Sequence, residues 1–301
     1  DLHRPDGVPD ILQFIEHGTL NLVAQAEQIG HMASTLSNSV LDNYHHLGDA
    51  ASITDGLHYD PSLKPYEVSE DGKRSGTPDE MWAFTTRNPS LDFQAATMFA
   101  AASRALSGYN DDLAARALKQ SKRLMQEATE LLEQQRRSVD AQAEADNSWL
   151  TGDGDGNVDG NTRRRRFARL AELTTNLQLY AATKEQQYLN RFKQQIWVSL
   201  DDNMEMTMQT ALDAVPYMDE AYKQQLRPYV EQYEGYVKHF DQENPYGVPI
   251  GLGNWAGVNA VLNFGIAVNY AHIYYPDIVP KEEVYRSANW LYGCHPYHNY
   301  S

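Results

Sequence analysis

Residues 90–106 read SLDFQAATMFAAASRAL. The apolar residues recur at helical spacing, and Ala and Ser cover much of the remaining surface. A helix with so little polar surface is normally buried from several sides. The stretch therefore predicts a helix set inside other helices, and the chain around it supplies them.

Upstream, PDILQFIEHGTLNLVAQAEQI from Pro9 places Ile11, Phe14, Ile15, Leu22 and Ile29 near helical spacing, with proline in the first turn. Downstream, Asn110 and Asp111 cap the long polar helix that runs through DLAARALKQSKRLMQEATELLEQQRRSVDAQ. Arg163 to Arg166 open the next helix, and shorter helical stretches follow around residues 186–200, 201–215 and 219–240. An apolar helix from Trp255 to about His272 and a last one from about Lys281 to Tyr292 complete the series. No run of alternating residues predicts a strand. Residues 42–89 and 150–162 read as two long structureless loops, a kind of segment that often carries function. Helix after helix, joined by alternately short and long loops, predicts an all-α fold, either an α/α toroid or a helical solenoid. Nothing marks a domain boundary, so residues 1–301 are expected to form a single domain.

The chain has 301 residues, with 25 Lys and Arg against 41 Asp and Glu, so its net charge is 25 − 41 = −16. Nucleic acid and anionic membranes need a cationic surface and are excluded as partners. No apolar run reaches membrane-spanning length. The polar, proline-bearing opening DLHRPDGVPD is not a signal peptide, and a mature secreted chain or a trimmed one would begin this way. One cysteine makes no internal disulfide. The 19 Tyr and 5 Trp include amphipathic rings of the kind that line sugar clefts, although most serve packing.

Four stretches carry candidate chemistry. In GCHPYHNYS, Cys294 is followed by His295 and, three residues on, His298. Zinc requires three or four ligands, and a thiol nucleophile requires a base facing it, so the stretch reads as structural. In DGDGNVDG, Asp153, Asp155, Asn157 and Asp159 alternate as hard oxygen ligands for calcium. Val158 and Arg164 stand where an EF-hand has its glycine and bidentate glutamate, so a calcium loop and a solvated acidic turn are both open. Calcium bound there would order the loop and take no part in chemistry. The segment NYHHLGDAASITDGLHYD holds His45, His46 and His58 with Asp49, Asp55 and Asp60, which suits an acid–base pair, a ligand-lining loop or simple turn formation. In NPYGVPIGLGNWAGVNAVLN, Trp255 at the mouth of a helix could stack on a sugar face or pack between helices.

In order along the chain, GVPDILQFIEHG, NYHHLGDA, RNPSLDFQAATMFAAASRAL, NWAGVNAVLN and SANWLYGCHPYHNYS resemble segments of glycoside hydrolase family nine. The family counterparts are IPDLLDEA, YYQVGDG, an Ala-rich helix ending in Ala-x-Arg, a WG-x-x-x-x-x-x-N helix and YLLGRNPLGRSYV. Gln13 and Phe14 replace the usual acidic pair, and the GCHP variant is similar to versions in Bacteroidetes polysaccharide degraders. The resemblance implies an (α/α)6 barrel and an inverting, endo-acting hydrolase of β-1,4-linked glucan that needs no cofactor for its chemistry.

It further implies that His45, His46, Asp49 and Trp255 shape sugar subsites. The family's catalytic base lies in a DAGD motif before the first matched segment, and its acid in an NE motif after the last. Neither carboxylate is expected within this chain, which reads as the middle of the domain, an incomplete barrel. The absent segments of its own domain are its expected partners, along with a β-glucan polysaccharide or oligosaccharide. Without them, the apolar faces of Ile11, Phe14 and the 261–270 helix would meet water. The alternatives are an exo-acting β-glucosidase or glucosaminidase of the same family, and a non-catalytic helical scaffold that binds sugar or protein. A glucan substrate implies a secreted, periplasmic or cell-surface location.

Overall fold

The computed structural model describes residues 7–34, 36–38, 50–53, 57–64, 67–76, 81–84, 86–145, 160–250 and 258–293. The chain divides into two compact units, Asp1–Lys184 and Glu185–Ser301.

The first unit is built on four helices, α1 (Asp10–Ile29), α2 (Pro89–Leu106), α3 (Asp111–Ala145) and α4 (Gly160–Thr183). Helix α2 occupies the centre that its sequence predicts, with ten buried residues among them Phe93, Ala96, Phe99, Ala100 and Leu106. Asn88 starts it by accepting the Ser90 N–H at 3.0 Å, and Pro89 follows at a position that needs no amide donor. Because the facing residues are small, neighbouring helices come close enough to bond across the seam. Thr175 of α4 donates to the Phe93 carbonyl at 2.9 Å, and Ser121 of α3 donates to the Ala96 carbonyl at 2.6 Å. Asn110 caps α3 as expected, accepting the Leu113 N–H at 3.1 Å.

The 42–89 segment departs from its expected lack of structure. Strands β2 (Ala50–Ile53) and β5 (Met81–Phe84) within it join β1 (Leu36–Asn38), which precedes it, in an antiparallel sheet of order β1-β5-β2, with Leu36 opposite Ala83 and Ala50 opposite Phe84. Strands β3 (His58–Tyr59) and β4 (Arg74–Ser75) pair in parallel. Pieces of two to four residues are too short for a two-residue period to register in sequence; pairing between distant residues defines them.

The second unit holds α5 (Gln186–Asp202), α6 (Met204–Asp213), a 3₁₀ turn (Val215–Tyr217), α7 (Glu220–Glu243), α8 (Val258–Tyr274) and α9 (Lys281–Leu291). Asn203 and Asp219 cap α6 and α7 through the amides of Met206 and Tyr222. The core gathers Phe192, Ile196, Met208, Leu226, Val237 and Val268, all fully buried. Phe240 meets Tyr236 and Phe264 edge-on, with ring centroids 4.9 and 5.5 Å away. In the first unit Ile11 and Phe14 lie exposed, as expected. In α8 the expectation is met on a different register, because Val261 is buried while Val258, Leu262, Ile266 and Ile273 are exposed.

Candidate functional site

Asp92 sits in the first turn of α2 with no exposed surface. Its Oδ1 accepts the Met32 N–H at 3.0 Å, and its Oδ2 accepts the Arg87 Nε–H at 2.9 Å. Arg87 also donates to Glu127 of α3 at 2.7 Å, and Glu127 accepts from Arg123 at 3.0 Å. Arg123 continues onto the carbonyls of Gly30 and Ala26 at the end of α1, at 2.6 and 3.0 Å. Burial opposes the charge on Glu127, but the hydrogen bonds from Arg87 and Arg123 outweigh it and hold the carboxyl below the usual carboxylate range. The network thus joins α1, α2 and α3 at the two places where residues 33–86 leave and re-enter the helices.

A second anchor lies in the other unit, where α7 gives way to the segment leading to α8. Asn244 ends α7 and folds the next residues around itself, donating to the Val248 carbonyl at 2.7 Å and accepting from the Tyr246 amide at 3.1 Å. Gly247 adopts φ +61°, and a Cβ there would stand 2.5 Å from Arg286 Nη1 and 2.6 Å from Asp241 Oδ1. Arg286 of α9 fills that space, pairing with Asp241 at 2.5 Å and with Glu283 at 2.6 Å. Burial pushes the Glu283 carboxyl up, and the nearby charges of Glu234 and Asp241 add to it against Arg286 and Lys238. Lys238 pairs in turn with buried Glu234 at 2.8 Å.

The predicted subsite residues His45, His46, Asp49 and Trp255 lie outside the described residues, as do Asp153, Asp155, Asn157, Asp159, Cys294, His295 and His298. Of the first loop's other candidates, Asp55 lies outside the described residues, His58 is an exposed residue of β3, and Asp60 is described. It accepts the Ser62 amide at 3.0 Å and pairs with Arg74 at 2.9 Å, the turn-forming role. Asp49 immediately precedes β2, and Trp255 stands three residues before α8. Among the described residues no group of three or more His, Cys, Asp or Glu could hold a metal ion. No described helix is long and apolar enough to cross a membrane. The anchoring residues Asp92, Glu127, Asp241 and Arg286 were not singled out by the sequence. An acidic residue in a helix's first turn after a proline reads as ordinary capping chemistry, and only the bond to the distant Met32, beside that to Arg87, reveals its role.

The model of glycosyl hydrolase family 9 matches residues 30–299. The chain belongs to that family. None of the curated proteins compared with the chain matches it. Among solved structures, a metagenome-derived family 9 endoglucanase superposes with a TM-score of 0.54 at 17% identity, covering 94% of this chain and 45% of that one. A zinc-binding triple mutant of the family 9 endoglucanase J30 gives 0.51 at 16% identity, covering 95% and 47%. The family 9 chain thus spans under half the length of the structures it matches. Its fold class is all-α, that of the (α/α)6-barrel proteins. The two anchors of this family 9 chain flank, in sequence, the segments with the expected sugar-contacting residues.

Proposed function

We propose that this chain is the subsite-bearing part of an inverting glycoside hydrolase that cuts β-1,4-linked glucan internally. The observation that carries the reading is the family match over residues 30–299. The endoglucanase descriptions of both similar structures support the endo mode. In an inverting reaction one carboxylate activates water on one face of the sugar while a carboxylic acid protonates the leaving oxygen. The two stand about 6.5–9.5 Å apart, leaving room for the water. We assign both to family 9 polypeptide outside these residues. His45, His46 and Asp49 would hydrogen-bond sugar hydroxyls, and Trp255 would stack on a pyranose face. No cofactor enters this chemistry, and calcium at Asp153, Asp155, Asn157 and Asp159 would serve structure alone. Polymeric glucan is met outside the cytoplasm, which places the protein in the periplasm, at the cell surface or beyond.

The test uses the polypeptide that the gene encodes in full, supplied with soluble β-1,4-glucan while the anomeric protons of new ends are followed by NMR. Inversion yields the α-anomer first, and a β-anomer first would overturn it. Internal cutting lowers viscosity early, whereas glucose released from one end of short cello-oligosaccharides would establish the exo-acting alternative. Binding without any cleavage would leave a non-catalytic scaffold. If Trp255→Ala leaves glucan affinity unchanged, the stacking role is wrong.

A further inference from the structure

Helix α9 turns Glu283 and Ser287 inward, where both are buried, and presents the opposite side to solvent. On that outward side stand Tyr285, 50% exposed, and Tyr292, 72% exposed, with exposed Asn289 between them. Tyr292 caps the helix, and its N–H still bonds the Ala288 carbonyl at 2.9 Å, so it keeps to the helical path. With 3.6 residues per turn the three fall within about 60° of one another, and the two tyrosines lie about 10 Å apart along the axis. The neighbouring α7 treats its tyrosines differently, since Tyr222, Tyr229, Tyr233 and Tyr236 are all buried or half-buried. The Lys281 ammonium stands 5.9 Å from the Tyr285 ring centroid, near the limit of cation–π attraction, so it is free to turn to another partner. Single exposed rings need no explanation. Two rings aligned on one helix face with an amide between them do.

We infer that Tyr285, Asn289 and Tyr292 form a further binding site for a β-1,4-linked glucan chain laid along α9. A pyranose packs its C–H face flat on an aromatic ring and offers hydroxyls around its edge. In an extended β-1,4 chain alternate sugars face the same way, and the spacing of the two tyrosines along the helix is close to one such disaccharide repeat. The Asn289 amide, both donor and acceptor, lies between the rings to meet the hydroxyls of the intervening sugar. Exposed Lys281 and Glu282, one turn before Tyr285, extend the polar rim. Two features oppose a protein occupant. The dry centres of protein interfaces are depleted in Lys and Glu. The chain's net charge of −16 sets two copies against each other, whereas a neutral glucan is indifferent to it. The inference rests on the glucan specificity proposed above and uses residues to which that reading gives no role.

The test uses the polypeptide that the gene encodes in full, with insoluble β-1,4-glucan as the probe and binding read from depletion of free protein. Tyr285→Ala/Tyr292→Ala should weaken binding about tenfold. Tyr285→Phe/Tyr292→Phe keeps both rings and should stay within about twofold of the parent. Asn289→Tyr/Tyr292→Ala also keeps two rings but sets them about 6 Å apart along the axis, so it should bind no better than Tyr292→Ala alone. All these variants should keep the parent's Tm, because the rings face outward. If the parent binds and cleaves the glucan and the double alanine variant binds it equally well, the inference falls and the proposed function stands. A parent that neither binds nor cleaves β-1,4-glucan overturns both. A parent dimer that the double alanine variant splits, or a fall of several degrees in the Tm of that variant, would overturn the inference in favour of a protein contact.

Discussion

One carboxylate oxygen of Asp92 takes the Met32 amide and the other takes the Arg87 guanidinium, so a single buried side chain ties two chain positions 55 residues apart, 87 − 32. Ordinary helix capping does not ask this of an acidic residue.

Asp92→Ala should therefore cost about 3 kcal/mol in urea unfolding, at the low end for a broken buried ion pair because Arg87 retains Glu127. Asp92→Asn keeps an acceptor for Met32 and should cost less. Equal costs would mean that charge plays no part in the clamp.

Gly247→Ala asks for two things the fold does not allow, a left-handed backbone with a side chain and a Cβ inside the Arg286–Asp241 pair. The backbone alone costs about 1–2 kcal/mol, and displacing Arg286 adds to it. Gly72→Ala, also at positive φ but facing open space, isolates the backbone part. A Gly247 variant no worse than the Gly72 variant would show that the ion pair yields freely.

Glu127 and Glu283 should respond to acid in opposite senses. Interactions in the folded state lower the Glu127 pKa, so its stabilising contribution is present above the ordinary carboxylate value of 4.5 and is lost as pH falls through the depressed folded value. The gap in urea midpoint between the parent protein and Glu127→Gln should accordingly narrow from pH 7 to pH 3. The Glu283 pKa is raised, so its charge opposes folding at neutral pH and this penalty fades as pH falls through the raised value toward 4.5. Glu283→Gln should be tolerated better than Glu127→Gln at pH 7, and the reverse order would contradict both directions.

If the acidic alternation Asp153, Asp155, Asn157 and Asp159 holds calcium, the ion will stabilise the fold by mass action. Calcium at a hundred times its Kd adds about 2.7 kcal/mol. Tm should rise on adding calcium, return with a chelator, and be insensitive to both in Asp153→Asn/Asp155→Asn. A parent protein unmoved by calcium leaves the solvated acidic turn.

The helices were legible because each announces itself locally. Asn110 caps α3, Pro9 stands at the head of α1, and the alanines of α2 declare its central place. The family was legible too, through five segments in order. The β1-β5-β2 sheet was not, since its register joins Leu36 to Ala83 across residues with no common pattern. Nor were the anchors, because Arg286, Asp241 and Gly247 come together only when α7 and α9 are already placed. Local chemistry writes elements and caps into a sequence; contacts closed over long distances leave no local trace.

The Asp92 clamp also bears on how this protein can change. Everything from residue 33 to residue 86 departs from and returns to one carboxylate, so the intervening chain is a cassette on a fixed mount. Lengthening such an excursion twofold costs only about 0.6 kcal/mol in closure entropy. Replacement segments of other lengths, selected for other ligands, need only span from Met32 to Arg87, whose contacts to Asp92 lie outside the stretch. Selection can therefore rewrite this stretch wholesale while the helices that carry it stay as they are.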